Sequence, residues 1–369
     1  MKRFPSMIIV PILLLGALSV FTSCAPAPEV STELTSPPVR VWPDPPEKPR
    51  IQFIQTVITP EDLGVKKGFF LKLWEFIAGS DTAERIVSPH GVVSDGAGKV
   101  YVVDWGLGLI HYFHFEKKKY DSFYKTKMGP LASPIGIALD SDGLVYVTDS
   151  ILRRVFIFKG TKNKKIIGDD GLLRPTGIAV NKLEKRLYVV DTLGHRVDVF
   201  DLNGEKLFSF GTNGGRDGEF NYPTHIALDG AGDVYVMDSL NFRIQIFDHD
   251  GKFQTQFGGM GTGIDAFMKP KGIAVDSDGH IWVSDSLRNS IQAFDRTGKL
   301  LLIFGRQGRG AGEFEVPAGI FIDAKDRLIV GDSYNYRIQL LQYLKEEPTL
   351  DKPGPISPPR QVGAKEATQ

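Results

Sequence analysis

Three kinds of residue in this chain could carry chemistry: two histidines beside prolines, a column of aspartates, and a single cysteine. His90 follows Pro89 directly, and His225 stands two residues after Pro223. Two imidazoles at matching ends of two elements could ligate a metal or move protons. A catalytic zinc site takes three protein ligands and a water, and no third histidine stands at the matching position of another element. His111, His114, His195, His249 and His280 share no spacing and read as packing or surface residues. The aspartates are Asp104, Asp149, Asp191, Asp238, Asp285 and Asp332, and five residues after them come Leu109, Arg154, Arg196, Arg243, Ser290 and Arg337. A ring of carboxylates could be catalytic. A group needed in every copy is more simply a pin, its oxygens taking backbone N–H groups and the arginine of a tight strand connection.

These residues recur because the elements that hold them recur. Six copies begin at Pro89, Pro134, Pro175, Pro223, Pro270 and Pro317, spaced by 45, 41, 48, 47 and 47 residues on subtraction of those numbers. Each reads P-x-G-I-A-x-D, a turn, Y-V-x-D, a loop, then R-I-x-x-F. Alternation is period two and Asp/Gly clusters separate the runs, which is the signature of short strands. Segments such as "KLFSFG" and "KFQTQFG" supply a fourth strand, and four strands at this period make one propeller blade. The last copy runs out after its third strand. "RIQFIQTV", Arg50 to Val57, has strand composition and precedes the first copy, so it is expected to close the ring. The expected fold is all-β, a six-bladed β-propeller of four-stranded blades over 50–344. The 40 glycines and 42% hydrophobic content agree with a turn-rich β protein.

The copies resemble the NHL repeat from roughly Pro89 to Leu341, most closely in "PTHIALDGAGDVYVMDSLNFRIQIFD". The resemblance implies a six-bladed propeller. It also opens an enzymatic alternative. The related peptidyl-hydroxyglycine lyase uses three histidines and zinc, and His90 in "SPHGVVSD" resembles one such position. A lyase-like or hydrolase site at the channel mouth would rest on His90 and His225 and an unseen third ligand. Without that ligand, no cofactor is expected.

The N-terminus supplies an address. Lys2 and Arg3, an apolar run from Met7 to Phe21, and Cys24 form an export signal over 1–23. "FTSC" resembles a bacterial lipobox, so Cys24 is expected to be acylated, and Ala25 after it resembles outer-membrane sorting. With the repeat, this looks like an exported NHL-repeat lipoprotein of the cell envelope. Residues 24–49 are proline-rich and read as a tether. "KKGFFLKLWEFIAGS" reads as a short amphipathic helix near 67–79, and 345–369 as a disordered tail. Lys plus Arg and Asp plus Glu are both 44, which argues against nucleic acid as a partner.

Function then lies where the copies differ. Two residues after each aspartate stand Gly106, Ile151, Leu193, Leu240, Leu287 and Tyr334, where the family pattern favours glycine. Exposed together, with Trp105, Phe242 and Tyr336 nearby and Lys271 close to the axis, they would form an apolar interaction face. Tucked between blades, they would be core. The expected role is a monomeric, lipid-anchored binding module for an envelope protein, peptide or glycan.

Cys24 is the one acylation site the sequence offers. Cys24→Ala is expected to yield protein with no acyl group, and the wild type to begin at an acylated Cys24. N-terminal mass spectrometry with membrane fractionation checks both; a wild type that retains Met1 overturns the reading.

Overall fold

The computed structural model describes residues 39–65, 84–168 and 171–345. Alternating apolar runs pair as antiparallel strands in six sheets, and innermost strands contact one another in sequence around an axis, the last meeting the first. The blade with the best repeat match shows the pattern: Pro223–Leu228, Val234–Asp238, Arg243–Phe247 and Phe253–Gly258, from axis to rim. Its two middle strands are buried throughout, while the rim strand is exposed along most of its length. The protein is therefore an all-β six-bladed propeller.

Ring closure follows the sequence expectation. Ile51–Val57 pairs antiparallel with Arg337–Tyr343 and completes the last blade. Ile51 and Val57 are fully buried. The rest of the proline-rich segment departs from a simple tether. Val41–Trp42 adds a fifth strand, with Trp42 opposite Ile51. Trp42 is buried, its ring centroid 5.4 Å from that of Phe304. A Cβ on Gly312 would come within 2.1 Å of the indole, so this blade's incoming loop has no room for a side chain there. The expected helix near 67–79 and the tail from 346 lie outside the described residues, as do the export signal and Cys24.

The glycine two residues after the leading proline in five of the six blades is a matter of approach distance. A Cβ on Gly136 would lie 2.2 Å from the Thr176 carbonyl oxygen of the next blade, and one on Gly319 only 2.1 Å from that of His90. Side chains are excluded where inner strands converge. Hydroxyls bridge the same gap: Thr148 Oγ1 donates to the Thr176 carbonyl at 2.6 Å, and Ser333 Oγ to that of Pro89 at 2.6 Å.

The three segments preceding the body should separate by stability. Deletion of 25–38, outside the described residues, serves as the reference for the other two. Deletion of 25–48 loses Trp42 and should cost about 3–5 kcal/mol, the range for removing a buried tryptophan. Deletion of 25–57 opens the ring and should unfold the last blade. Denaturant melts of the three proteins check the order; equal stability of the last two refutes closure by Ile51–Val57.

Candidate functional site

Each column aspartate sits at a corner where three pieces of backbone meet. It lies opposite the leading proline of its own blade and opposite the residue five further on, as in Pro223↔Asp238↔Arg243. All six carboxylates are fully buried. They accept hydrogen bonds from amides just ahead of the proline: Ala132 at 2.7 Å to Asp149, Asn221 at 2.6 Å to Asp238, Met268 at 2.7 Å to Asp285 and Glu315 at 2.7 Å to Asp332. They also accept from their own loop, as with Leu152 to Asp149 at 2.9 Å. The column is thus structural, as expected, and each carboxylate fixes the incoming inter-blade connection as well as its own hairpin.

The arginines extend this role. Arg243 Nε donates to Asp238 at 2.8 Å, while its Nη2 donates to the carbonyls of Arg216 and Glu219 in the glycine-rich loop. Arg337 repeats the arrangement with Asp332 and the carbonyls of Arg309, Gly310 and Glu313. Where the arginine is missing, another residue serves. Arg288, three residues after Asp285, reaches the Gly263 carbonyl in the blade that has Ser290. In the first blade, which has Leu109, His111 Nε2 bonds to Asp104 at 3.2 Å and Nδ1 to Tyr120 at 2.9 Å. Burial alone would push the Asp104 carboxyl up; the bonds from His111 and the Val87 and Leu107 amides outweigh it and hold it below the usual range. This role for His111 was missed from sequence, although it stands seven residues after Asp104, where Gln245 and Gln339 stand after Asp238 and Asp332 and bond to them.

The loop tips held by these corners face solvent. Exposure runs from 43% at Leu193 to 67% at Ile151, with Leu240, Leu287 and Tyr334 between. Trp105 and Tyr336 are exposed as well, and Trp105 Nε1 donates to Ser133 Oγ of the next blade at 3.1 Å. Phe242 departs from the expected face: it is half-buried and packs with the core cluster containing Phe257 and Phe267. Its backbone, like that of Arg153, His195, Asn289 and Tyr336 at the same loop position, is left-handed with φ of 50–58°. That conformation costs non-glycine residues on the order of 1 kcal/mol each, which the pinned corner must offset. Three exposed apolar residues of this face were not anticipated: Leu173, Tyr222 and Met268. They stand one or two places before a leading proline, a position readable as part of this face only once the aspartate is seen to bind it.

At the axis, His90 of the first blade and His225 of the fourth meet across the ring. Their rings stack at 5.5 Å between centroids and 14° between planes. His225 occupies the glycine position of its blade. Below lies an apolar channel of about 180 Å³ lined by residues such as Ile137, Ile178, Ile226, Ile273 and Ile320. Burial, then Lys271, pushes the His90 imidazole down to about 4; burial, then His90 and Lys271, pushes His225 well below its usual range. Burial and the neighbouring Lys269 and Arg174 lower the half-buried Lys271 amine. This pair does not fit a catalytic metal. The rings lie face to face rather than converging through nitrogen lone pairs, and a lysine sits beside them. Among the described residues no group of three or more His, Cys, Asp or Glu could hold an ion.

A histidine whose folded-state pKa lies below its unfolded value favours folding while neutral. The contribution is complete above about pH 6.5 and lost as pH falls from 6.5 through about 4. For His90 it amounts to at most ~3 kcal/mol. Stability of the wild type should fall more between pH 7 and pH 4.5 than that of His90→Gln/His225→Gln. Denaturant melts at both pH values measure the two slopes, and equal slopes refute the half-buried neutral pair.

Comparison with known proteins agrees with this geometry. The NHL repeat family model matches residues 220–247 and 267–294. A segment of 61 residues is 39% identical to Protein brain tumor of Drosophila melanogaster, covering 16% of this chain and 6% of that protein. Among solved structures, virginiamycin B lyase from Staphylococcus aureus superposes with a TM-score of 0.52 at 17% identity, over 70% of this chain and 96% of the lyase. A protein of unknown function from Bacteroides thetaiotaomicron gives 0.58 at 16% identity, over 79% of this chain and 75% of that one. An auxiliary nutrient binding protein from the same organism gives 0.55 at 16%, over 71% and 70%. At these identities the structural likeness concerns the fold. With six blades in a closed ring and the repeat matched in its fourth and fifth blades, the chain is a six-bladed β-propeller that carries NHL repeats.

Proposed function

We propose that the protein is a binding module that engages an envelope protein, peptide or glycan through the face bearing the aspartate loops. The observation that carries this reading is the ring of exposed apolar tips, Ile151, Leu193, Leu240, Leu287 and Tyr334, on loops whose bases are immobilised by buried carboxylates. Apolar groups held on a fixed frame bind at low entropic cost, since little is left to order on association. Leu173, Tyr222 and Met268 enlarge it. In this reading the protein is exported, acylated at Cys24 and held at the outer membrane of a bacterial envelope. The fold's likeness to a nutrient binding protein is compatible with such a role and assigns no ligand.

Each leucine buried by a partner contributes about 1.5–3 kcal/mol, and such anchors concentrate binding energy. The tips are attached through backbone bonds, Leu240 N–H to the Asn221 carbonyl and Tyr334 N–H to that of Glu315, which side-chain changes leave intact. Leu240→Ser/Tyr334→Ser is therefore expected to melt within ~2 °C of the wild type and to weaken partner capture at least ~tenfold. Quantitative recovery from detergent-solubilised envelopes, wild type against variant, measures this. Undiminished recovery by the variant overturns the assignment of this face.

A further inference from the structure

The zero net charge conceals an uneven distribution. In the first blade, Lys117, Lys118 and Lys119 stand exposed at the turn between the third and rim strands. The third strand leads away from the aspartate loop, so this turn lies on the opposite side from the apolar tips. After the rim strand, Lys125–Thr126 and Gly129–Pro130 form a small hairpin outside the blades. Its Lys127 amide donates to Asn163 Oδ1 at 3.2 Å, and Lys127 Nζ to the Lys164 carbonyl at 2.8 Å. The hairpin is thereby docked on the rim strand of the second blade, where Lys162, Lys164 and Lys165 are exposed beside Lys159.

That makes nine exposed lysines along the outer wall of the first two blades, against exposed Glu116, Asp121 and Asp142. Among the described residues none of the nine pairs with a carboxylate. Basic groups elsewhere do: Arg186 with Asp250, Arg296 with Asp233, Arg306 with Glu313, Lys345 with Asp326. The hairpin adds an apolar element. Met128 at its turn is 53% exposed, and Tyr124 is exposed with Lys125 Nζ 5.7 Å from its ring centre. Thr126 braces the turn, donating to the Gly129 carbonyl and accepting from the Met128 amide.

We propose that this wall docks on an anionic lipid bilayer, with Tyr124 and Met128 of the hairpin seated at headgroup level. Lysines without carboxylate partners follow the surface potential of a charged bilayer, and their stems can lie along it while the ammonium groups stay hydrated. The wall is built of lysine rather than arginine, which suits a diffuse field of headgroups better than bidentate recognition of individual phosphates. An aromatic and a methionine between lysines match the layered polarity of the interface. The inference does not depend on what the apolar tips bind.

The test uses the full chain carrying Cys24→Ala, so that acylation cannot mask the contribution of the wall. Partitioning is measured by sedimentation with phosphatidylcholine vesicles and with vesicles containing about 30 mol% phosphatidylglycerol, at low salt. Any apolar contribution from the N-terminus is common to both, so the ratio isolates charge. At roughly fivefold per lysine, the parent should favour anionic vesicles by at least ~tenfold, and Lys117→Gln/Lys119→Gln/Lys125→Gln/Lys127→Gln should lose at least ~tenfold on them. Met128→Ser, which leaves every lysine in place, should weaken binding to the anionic vesicles severalfold. Equal partitioning of the parent between the two vesicles overturns the proposal, as does a quadruple variant of unchanged melting temperature that partitions like its parent. Lysine-dependent binding to a single-stranded oligonucleotide without preference for anionic vesicles would assign the wall to polyanions and equally overturn it.

Discussion

A carboxylate with no access to water is stable only where donors surround it, and each blade meets that demand at one corner. Asp238 accepts from the Asn221 amide, Asn241, Arg243 and Gln245; Asp332 accepts from the Glu315 amide, Asn335, Arg337 and Gln339. The donors come from the incoming inter-blade connection, the blade's own loop and its third strand. One side chain therefore ties consecutive blades together, and loss of it would strand several buried N–H groups at ~1–3 kcal/mol each. The arginine columns, the left-handed loop residues and the placement of the prolines all follow from this corner.

The axis obeys a different constraint, that of space. Inner strands approach so closely that a methyl group would strike the neighbouring carbonyl, and glycine holds the position in five blades. His225 breaks the column and projects across to His90, capping an apolar channel with two neutral rings. In a site meant for metal, carboxylates or further imidazoles would converge at that point. Here the charge that acts on both rings is the Lys271 ammonium, which disfavours both imidazolium and a bound cation.

Rigid corners free the residues between them. Because the aspartate and the residues it binds fix the loop's course, the tip two residues after it can vary from Gly106 to Tyr334 without altering the blade. The lysine wall lies on the same frame and is equally indifferent to the corner chemistry. Two surfaces of opposite character, one apolar and one basic, thus share one frame.

The repeat was legible from the chain alone because blade geometry depends on local pattern. Period-two alternation fixes which side chains are buried, Asp/Gly clusters fix the turns, and a fixed spacing fixes the blade count. The closure strand was legible too, since the last copy lacked a partner that only Arg50 to Val57 could supply. What the chain left open were matters of contact between distant segments. The tips could have been core or surface; the ring leaves them outside because their loops project beyond the strands that would cover them. Phe242 turned inward onto the cluster of Phe257 and Phe267, while Tyr336, with the same left-handed backbone at the matching position, stayed exposed. His111 became a partner of Asp104 from the position, seven residues on, that gives Gln245 to Asp238 and Gln339 to Asp332, and Arg288 became a substitute for a missing arginine. The stack of His90 on His225, 135 positions apart on subtraction of their numbers, exists only because a closed ring of six sets its first and fourth blades face to face across the axis.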